Sequence, residues 1–370
     1  MIYPVKTAVI GVGNMGKKRI LVTGVGGSAG SNFIKSLRMA PEEYYLVGTD
    51  INKYHLELVE GLDKKYILPP VSDTTYIYRL NQLIALENIE FVHPQPDVEV
   101  QIQSQNRERI KAKTLLPAKE VVEICQDKIN LNNRLQQENI PVPLSFHLKN
   151  NNDLESALSI LLKIGEKAWL RATRGAGSKA SLPVINLEQA EAWIKYWISV
   201  KGLNYTDFMI SEFLPGKEFA WQSLWYEGEI ITSQARERIE YVFGNLTPSG
   251  QSSSPSVAKT VHRYDVNQIA TQAVKAISNK ATGIFCIDMK ENRQGEPCIT
   301  EINCGRFFTT SNFFSEAGSN MPYYYVKMAY GEGMPLLPKY NAIPEGWYWI
   351  RMIDMGYKLI KGEQWTSQQM

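Results

Sequence analysis

The stretch of sequence that decides the fold is residues 283–306, GIFCIDMKENRQGEPCITEINCGR. Two apolar runs rich in β-favouring residues, Ile284–Met289 and Pro297–Ile302, flank a polar segment that contains Gly295. This pattern predicts an antiparallel hairpin. The hairpin is the element from which we interpret the rest of the chain.

Three oxygen-bearing side chains fall on one face of the predicted hairpin. A turn centred on residues 294 and 295 pairs Asp288 with Glu301, and Asn303 lies on the same face two residues further on. Opposed like charges destabilise a strand pair, so we expect something cationic between them. An all-oxygen set of this kind suits Mg²⁺. The hairpin is therefore a candidate metal site, and the alternative is a solvated acidic face.

Length and charge exclude several classes of protein. The chain has 370 residues, which predicts two or three domains, and a net charge of +2 with both signs interspersed. We therefore expect no nucleic acid and no anionic membrane as a partner. No apolar run reaches the ~18 residues that span a bilayer, and the N-terminus lacks the cleavage pattern of a signal peptide.

The cysteines indicate the compartment. Cys125, Cys286, Cys298 and Cys304 are widely spaced and include no CxxC pair. They are typical of reduced, mostly buried thiols, so we expect a cytoplasmic protein.

Two glycine patterns stand near the N-terminus. The first, Gly11 to Gly16, follows a strand pattern, but a second strand begins at Ile20 and leaves no room for the helix that would hold a pyrophosphate. We interpret residues 1–18 as a vestigial extension or a start-site artefact. The second pattern, Gly24–Gly30, lies in a complete strand-helix-strand unit that ends at Asp50. That unit resembles the opening of extended short-chain dehydrogenases and equally the first domain of ATP-grasp ligases.

A second glycine-rich loop follows a predicted strand, Ala168–Ala172. The loop, Thr173–Ser181, contains two glycines, small residues and cations, a composition that lets backbone N–H groups approach an anion. Its alternative is a flexible surface hairpin. Further on, Glu212 and Glu218 lie on either side of a Pro-Gly bend.

The region after this bend holds basic and polar residues. Arg236 and Arg238 alternate onto one face of a predicted strand, and residues 244–256 form a Ser/Gly/Pro-rich loop. Structureless loops of this length are uncommon without a function. Near the C-terminus, residues 347–352 predict one more strand.

The order of these parts resembles the ATP-grasp superfamily, and within it the carbamoyl-phosphate-synthase-like carboxylate-amine ligases. The resemblance covers residues 19–330 and rests on WLRATRGAGSKAS, on MISEFLPGKEFA, and on IDMK followed by TEIN. It implies an α/β and α+β fold in which a doubly wound pre-ATP-grasp domain precedes a two-lobed ATP-grasp fold. The expected division is an extension (1–18), the pre-ATP-grasp domain (19–116), an N-lobe with the flap (117–211), a C-lobe with the nucleotide and metal site (212–335) and a C-terminal tail (336–370).

The resemblance also implies roles for individual residues. Lys128 and Arg171 match the basic residues that contact the nucleotide phosphates, and Asp288, Glu301 and Asn303 match the Mg²⁺ ligands. The remaining candidates are Gly175, Gly177 and Ser178 in the flap, Glu212, Phe213 and Leu214 at the adenine hinge, Glu218 at the ribose, and Arg236, Arg238 and Arg306 at the reacting carboxylate and its acyl phosphate.

The function that this resemblance implies is an ATP-dependent ligase with ATP and Mg²⁺ (or Mn²⁺). It would activate a small carboxylate as an acyl phosphate and join it to an amine or ammonia. The aromatic run Tyr323–Tyr325 and the tail are candidate surfaces for a homodimer. One alternative is an NAD(P)-dependent short-chain dehydrogenase or epimerase, based on Gly24–Gly30 and a YxxxK match at Tyr323 and Lys327. Another is a nucleotide-binding protein without catalysis. Under the ligase interpretation, the loop at Gly24–Gly30 only packs or shapes a substrate pocket.

Overall fold

The computed structural model describes residues 16–175, 177–252, 254–362 and 364. The vestigial extension predicted from the first glycine pattern lies outside the described residues, apart from residues 16–18. The described chain forms sheets of four, seven and four strands. A parallel N-terminal sheet followed by antiparallel sheets confirms the predicted fold class. None of the helices described here is both long and apolar enough to cross a membrane.

The N-terminal sheet is parallel and is flanked by helices. Its elements are β1 (Lys18–Thr23), α1 (Ser28–Arg38), β2 (Tyr44–Asp50), α2 (Lys53–Glu57), β3 (Lys64–Ile67), α3 (Tyr76–Leu86), β4 (Phe91–Pro94) and α4 (Asp97–Gln105). The strand order is β3-β2-β1-β4. Ile20, Leu21 and Val22 of β1 are fully buried, because a parallel strand is covered on both faces.

The glycine-rich loop after β1 packs against protein. Gly24 has a φ of +65°, and a Cβ at this position would lie 2.2 Å from Cγ of Pro96. The Asp50 carboxylate accepts a hydrogen bond from the backbone N–H of Gly26 at 2.9 Å. In a dehydrogenase Asp50 would bind the ribose of the dinucleotide. Here its carboxylate instead binds the backbone of the glycine-rich loop.

The middle part of the chain forms a four-stranded antiparallel sheet with the order β5-β8-β6-β7. The elements are α5 (Lys119–Cys125), α6 (Lys128–Gln137), β5 (Ser145–His147), α7 (Asn151–Ile164), β6 (Ala168–Ala172), β7 (Leu182–Val184), α8 (Leu187–Lys201) and β8 (Phe208–Glu212). The sequence pattern of residues 118–138 predicts one continuous helix, but the structure divides it into α5 and α6. The helix is interrupted before Asp127. The carboxylate of Asp127 accepts hydrogen bonds from the N–H groups of Ile129 and Asn130 and so caps the start of α6.

The C-terminal part forms a seven-stranded sheet with the order β13-β12-β9-β10-β11-β14-β15. Its elements are β9 (Glu218–Tyr226), β10 (Glu229–Tyr241), β11 (Pro255–Val261), α9 (Tyr264–Ile277), β12 (Gly283–Glu291), β13 (Pro297–Cys304), α10 (Ser311–Glu316), α11 (Met321–Ala329), β14 (Trp347–Met352) and β15 (Gly356–Lys361). The predicted strand at residues 347–352 is confirmed. It pairs with β11, so the segment expected to be a tail belongs to this sheet.

Helix α11 fastens the N-terminal domain to the large sheet. Tyr325 is fully buried in the shared core. The Tyr323 hydroxyl donates to Glu42 at 3.1 Å, and Lys327 pairs with Glu332 at 3.0 Å. Tyr325 therefore packs inside the chain and is not available as a dimer surface. Tyr323 and Lys327, the YxxxK pair, each bind a glutamate of this chain.

Candidate nucleotide and metal site

The hairpin of β12 and β13 has the predicted register at Asp288 and away from the turn, whereas the pairs nearer the turn are shifted by one residue. Asp288 lies directly opposite Glu301, and Asn303 is opposite Cys286, two residues further along β12. A β-bulge between Asp288 and Met289 leaves Thr300 as the extra residue on β13. The bulge keeps the two acids opposed, so the three oxygen-bearing side chains lie together on one face.

Both acids contact cations from other parts of the chain. Nη2 of Arg238 lies 2.6 Å from Oδ1 of Asp288, and Nζ of Lys128 lies 3.7 Å from Oε2 of Glu301. Burial alone would lower the pKa of Arg238, but the Asp288 carboxylate together with Tyr241 and Glu218 raises that pKa. Burial lowers the pKa of Lys128, and Glu301 opposes this change. Each acid therefore has its own cationic side chain as a partner, Arg238 for Asp288 and Lys128 for Glu301.

Arg306 connects the hairpin to the N-terminal domain. Its Nη2 donates to Oδ1 of Asn303 at 2.6 Å, and the guanidinium also binds both carboxylate oxygens of Asp97, the first residue of α4. The sequence analysis missed Asp97, because its partner is 209 residues away in the chain. The one local signal for Asp97 is its position just after the end of β4, because open α/β sheets bind ligands at the ends of their strands.

The hairpin faces a cavity of about 500 Å³ between the three sheets. The candidate residues that line it are Lys128, Arg171, Gly175, Gly177, Ser178, Glu212, Phe213, Leu214, Glu218, Arg238, Asp288, Glu301, Asn303 and Arg306. Arg236 is the one candidate residue that is not part of the lining. It is fully buried, and its Cζ lies 4.8 Å from the ring centre of Phe308.

Two cations, one buried and one half-buried, line the cavity beside the flap. Lys128 begins α6, and its Nζ donates to the backbone oxygen of Gly175 at 3.0 Å. Arg171 on β6 donates from Nη2 to the backbone oxygen of Thr300 at 3.0 Å, while its Nε has no hydrogen-bond partner among the described residues. Burial lowers the pKa of Arg171. Two cations in a sheltered cavity are suited to bind a phosphate chain.

The flap residues have backbone conformations that favour glycine. Gly175 and Gly177 have φ angles of +101° and +74°, and Ser178 has +55°. Neither glycine faces a backbone clash that would hold the loop in place. The loop can therefore approach a ligand closely and change conformation at low cost.

Glu218 at the start of β9 is tied by three donors. Nζ of Lys290 lies 2.7 Å and Nε2 of Gln251 lies 2.6 Å from its Oε1, and the Tyr241 hydroxyl donates to its Oε2. Burial alone would raise the pKa of Glu218, but Lys290 together with Tyr241 and Arg238 lowers it below its ordinary value. Gln251 comes from the long polar loop 244–256, so that loop reaches the site.

The sequence analysis missed Lys290 and Tyr241. Lys290 shares a face of β12 with Asp288 at a spacing of two residues, a signal that was available in the sequence. Tyr241 was hidden, because bulges between Arg238 and Tyr241 shift the alternation of β10.

Comparison with known proteins identifies the family. A sequence profile of the ATP-grasp domain matches residues 125–311, just over half of the chain. The chain belongs to the ATP-grasp family. The matched residues run from the end of α5 to the start of α10 and include the flap, the hinge and the acidic hairpin.

Relatives of this ATP-grasp protein are named as ligases. Phosphoribosylamine–glycine ligase of Escherichia coli O6:H1 is 26% identical over 182 residues, which cover 46% of this chain and 42% of that protein. The chain thus matches less than half the length of this curated relative. The same enzyme from Pasteurella multocida is 24% identical over 200 residues, covering 51% of this chain and 46% of that protein.

Solved structures share the ATP-grasp fold over most of the chain. The biotin carboxylase domain of Hydrogenobacter thermophilus 2-oxoglutarate carboxylase, a dimer in complex with MgADP, ADP and bicarbonate, gives a TM-score of 0.67 at 16% identity, covering 90% of this chain and 73% of that one. Carboxyaminoimidazole ribonucleotide synthase from Aspergillus clavatus, complexed with ATP, gives 0.65 at 14% identity, covering 90% and 81%. At these identities the likeness shows the fold alone.

Proposed function

We propose that this chain is an ATP-dependent ligase that activates a carboxylate as an acyl phosphate and joins it to an amine or ammonia, releasing ADP and phosphate. One observation carries the proposal. Two opposed acids, Asp288 and Glu301, share a cavity with the buried Lys128 and the half-buried Arg171, which lie beside the flap. Acids for a metal and cations for phosphates are the groups that phosphoryl transfer from ATP requires. Membership of the ATP-grasp family supports this interpretation.

The nucleotide would occupy the cavity from the flap to the hinge. In this proposal Lys128 and Arg171 bind the phosphates, and Gly175, Gly177 and Ser178 close over them. The hinge Glu212–Leu214 recognises adenine, and Glu218 holds the ribose. The hinge fits this role, because it lies at the junction of two sheets and lines the cavity together with apolar neighbours.

The oxygen set of the hairpin fits Mg²⁺ or Mn²⁺. Asp288, Glu301 and Asn303 present two carboxylates and one amide, and Mg²⁺ is usually bound by one or two carboxylates together with substrate phosphates. No cluster of three or more His, Cys, Asp or Glu side chains with metal-binding geometry occurs among the described residues. When bound, the ion would neutralise the charge of the phosphate oxygens.

The chain's own residues would supply the rest of the chemistry. A carboxylate oxygen of the substrate attacks the γ-phosphorus of ATP, the bond to the β-phosphate oxygen breaks, and ADP leaves. Attack joins two anions, so Arg238 and Arg306, which line the cavity, offset the developing charge. The flap excludes water, because an acyl phosphate hydrolyses. The amine then attacks the acyl carbon, the C–O bond breaks, and phosphate leaves.

We propose the domain division given by the resemblance, with residues 336–364 assigned to the C-lobe because β14 and β15 extend its sheet. We also propose a cytoplasmic location, supported by four buried cysteines without disulfides. We also propose a homodimer, because the similar biotin carboxylase domain is described as a dimer. Tyr325 is buried within the chain, so it would not be part of the dimer interface.

A trapping experiment tests the proposed reaction. Purified protein is incubated with Mg²⁺-ATP, hydroxylamine and single carboxylic acids from a panel, and ADP and hydroxamate are measured. We expect both products to form in equal amounts and only with an accepted acid, because hydroxylamine captures the acyl phosphate. ADP formation without any dependence on a carboxylate would contradict the proposal. Nucleotide binding without ADP formation under any condition would favour the silent nucleotide-binding alternative.

A further inference from the structure

Arg236 is a buried cation without a hydrogen-bonding partner. Its side chain is fully buried, and none of its three guanidinium nitrogens has a hydrogen-bond partner among the described residues. The rings of Phe308 and Phe314 lie 4.8 and 5.5 Å from its Cζ. Burial lowers the pKa of Arg236 to about 9. An uncompensated buried charge is costly, and cation–π contacts offset only part of that cost.

The segment that supplies both phenylalanines also carries buried polar groups without hydrogen-bond partners in the described part of the chain. The hydroxyls of Thr310 and Ser311, which lie between the two phenylalanines in the chain, are fully buried and have no hydrogen-bond partner among the described residues. Nε1 of Trp349 and Nη2 of Arg351, on β14, are unpartnered in the same sense. Guanidinium and indole N–H groups donate only, so this region carries more donors than acceptors. The missing component is an acceptor, and an anion would supply it.

The register of the sheet relates Arg236 to the proposed reaction site. Asp288 on β12 lies opposite Ala220 on β9, which lies opposite Arg236 on β10. Residues that are directly opposite share a face, and two interstrand spacings separate their backbones by roughly 10 Å. Phe308 lines the cavity and also contacts Arg236. Arg236 therefore lies on the same face of the sheet as Asp288 and contacts a ring of the cavity wall, but it does not itself line the cavity.

We propose that Arg236, with Thr310 and Ser311, forms a subsite for a second carboxylate of the substrates, distinct from the carboxylate that is activated. The Phe308 ring turns aside to admit it. A planar guanidinium binds a carboxylate through two parallel hydrogen bonds, and the two hydroxyls complete the acceptor's surroundings. The inference rests on the proposed function. It assigns the substrate class: either the activated acid is a dicarboxylate, or the amine is an amino acid.

Thermal unfolding in the presence of Mg²⁺-ADP tests the subsite and separates the two sources. Succinate is compared with acetate, and glycine and L-alanine with methylamine, at equal ionic strength. In the wild type we expect at least one compound with the additional carboxylate to raise the Tm by about 2–4 °C more than its partner. In Arg236→Met this advantage should disappear. No advantage in either comparison, or an advantage that persists in Arg236→Met, would overturn the proposal.

Two controls keep the outcome interpretable. Without ligands, Arg236→Met should unfold at the wild-type temperature or above it, because an unpaired buried charge is replaced by an apolar side chain. A lower Tm together with an unchanged ligand response would mean that Arg236 only packs, which would also overturn the subsite. Arg79→Met, at an exposed site on α3, should behave as the wild type. Failure of Mg²⁺-ADP to stabilise the wild type would contradict the proposed ligase rather than the subsite.

Discussion

Asp288 and Glu301 lie directly opposite each other in the β12–β13 pair, and each carboxylate contacts a different cation, Arg238 and Lys128 respectively. The repulsion expected between opposed acids is therefore balanced by one side chain from another strand of the same sheet and one from a helix. Lys128 comes from α6 and Arg238 from β10, so these two ion pairs connect the hairpin to α6 and to β10. This arrangement leads to the first two predictions.

Glu301→Gln should remove nucleotide stabilisation that depends on Mg²⁺. The amide keeps the shape of the side chain but not the charge that would bind the ion, and it leaves Lys128 without its acid. We expect the Tm increase on adding Mg²⁺-ADP to be lost, while the protein without ligands remains folded by circular dichroism. Glu296→Gln, at an exposed site in the same hairpin, is the matched control. An undiminished Mg²⁺-ADP response in Glu301→Gln would refute the metal assignment.

Lys128→Met should weaken nucleotide binding. A charge-assisted hydrogen bond contributes about 1.5–3 kcal/mol, so the Kd for Mg²⁺-ADP should rise on the order of 10- to 100-fold in calorimetric titration. Lys119→Met removes an exposed lysine from α5, whose ion pair with Glu123 spans 3.8 Å, and should leave the Kd unchanged. Equal affinity in Lys128→Met and the wild type would show that this amine does not bind the phosphates.

Gly24→Ala should destabilise the fold, whereas Gly27→Ala should not. At Gly24 a Cβ meets Pro96 at 2.2 Å with a φ of +65°, whereas at Gly27 the nearest atom is 3.8 Å away. Overpacking and the positive φ together should cost at least about 2 kcal/mol in urea unfolding. Similar free energies of unfolding for the two variants would contradict the packing of this loop.

Glu99→Gln should stabilise the protein at alkaline pH. Burial raises the pKa of Glu99, on α4, to about 7, while the Tyr76 hydroxyl donates to it at 3.0 Å. The folded state thus binds more protons than the unfolded state between pH ~4.5 and ~7, so the wild type loses stability as pH rises through that window. The variant should gain up to about 3 kcal/mol at pH 8 and nothing near pH 4.5.

Urea unfolding at both pH values measures this difference. Glu155→Gln, at an exposed site on α7, is the control and should follow the wild type. A Glu99→Gln difference that does not depend on pH would show that the carboxyl is not protonated in the folded protein at neutral pH.

Local pattern was sufficient to predict the hairpin and the opposition of its two acids, but not the bulge at Thr300 that shifts the register nearer the turn. Two β-rich runs around one polar turn leave a single pairing that opposes Asp288 and Glu301, and the structure has that pairing. The strands at 168–172 and 347–352 also have their predicted bounds, because each is an apolar run with clear ends. The roles of the residues in binding remain predictions.

Contacts between distant parts of the chain were beyond the reach of local pattern. The Arg306–Asp97 pair joins two domains, and nothing in either neighbourhood specifies the other. Arg236 and Arg238 alternate identically in the sequence and both lie near the Phe308 ring, yet only Arg238 lines the cavity. The surroundings of each arginine include Phe308, about 70 residues later in the chain. The alternation of side chains along one strand carries no information about such a distant residue.

The most direct test of the ATP-grasp assignment of this site is thermal unfolding of the wild type with ADP, with and without Mg²⁺, and separately with NAD⁺ and NADP⁺. Ligand at 100 times its Kd adds about 2.7 kcal/mol, which corresponds to several degrees for a chain of this size. We predict a rise in Tm with ADP that requires Mg²⁺ and none with either dinucleotide. A rise with NAD⁺ or NADP⁺ and none with Mg²⁺-ADP would contradict the nucleotide and metal site described here.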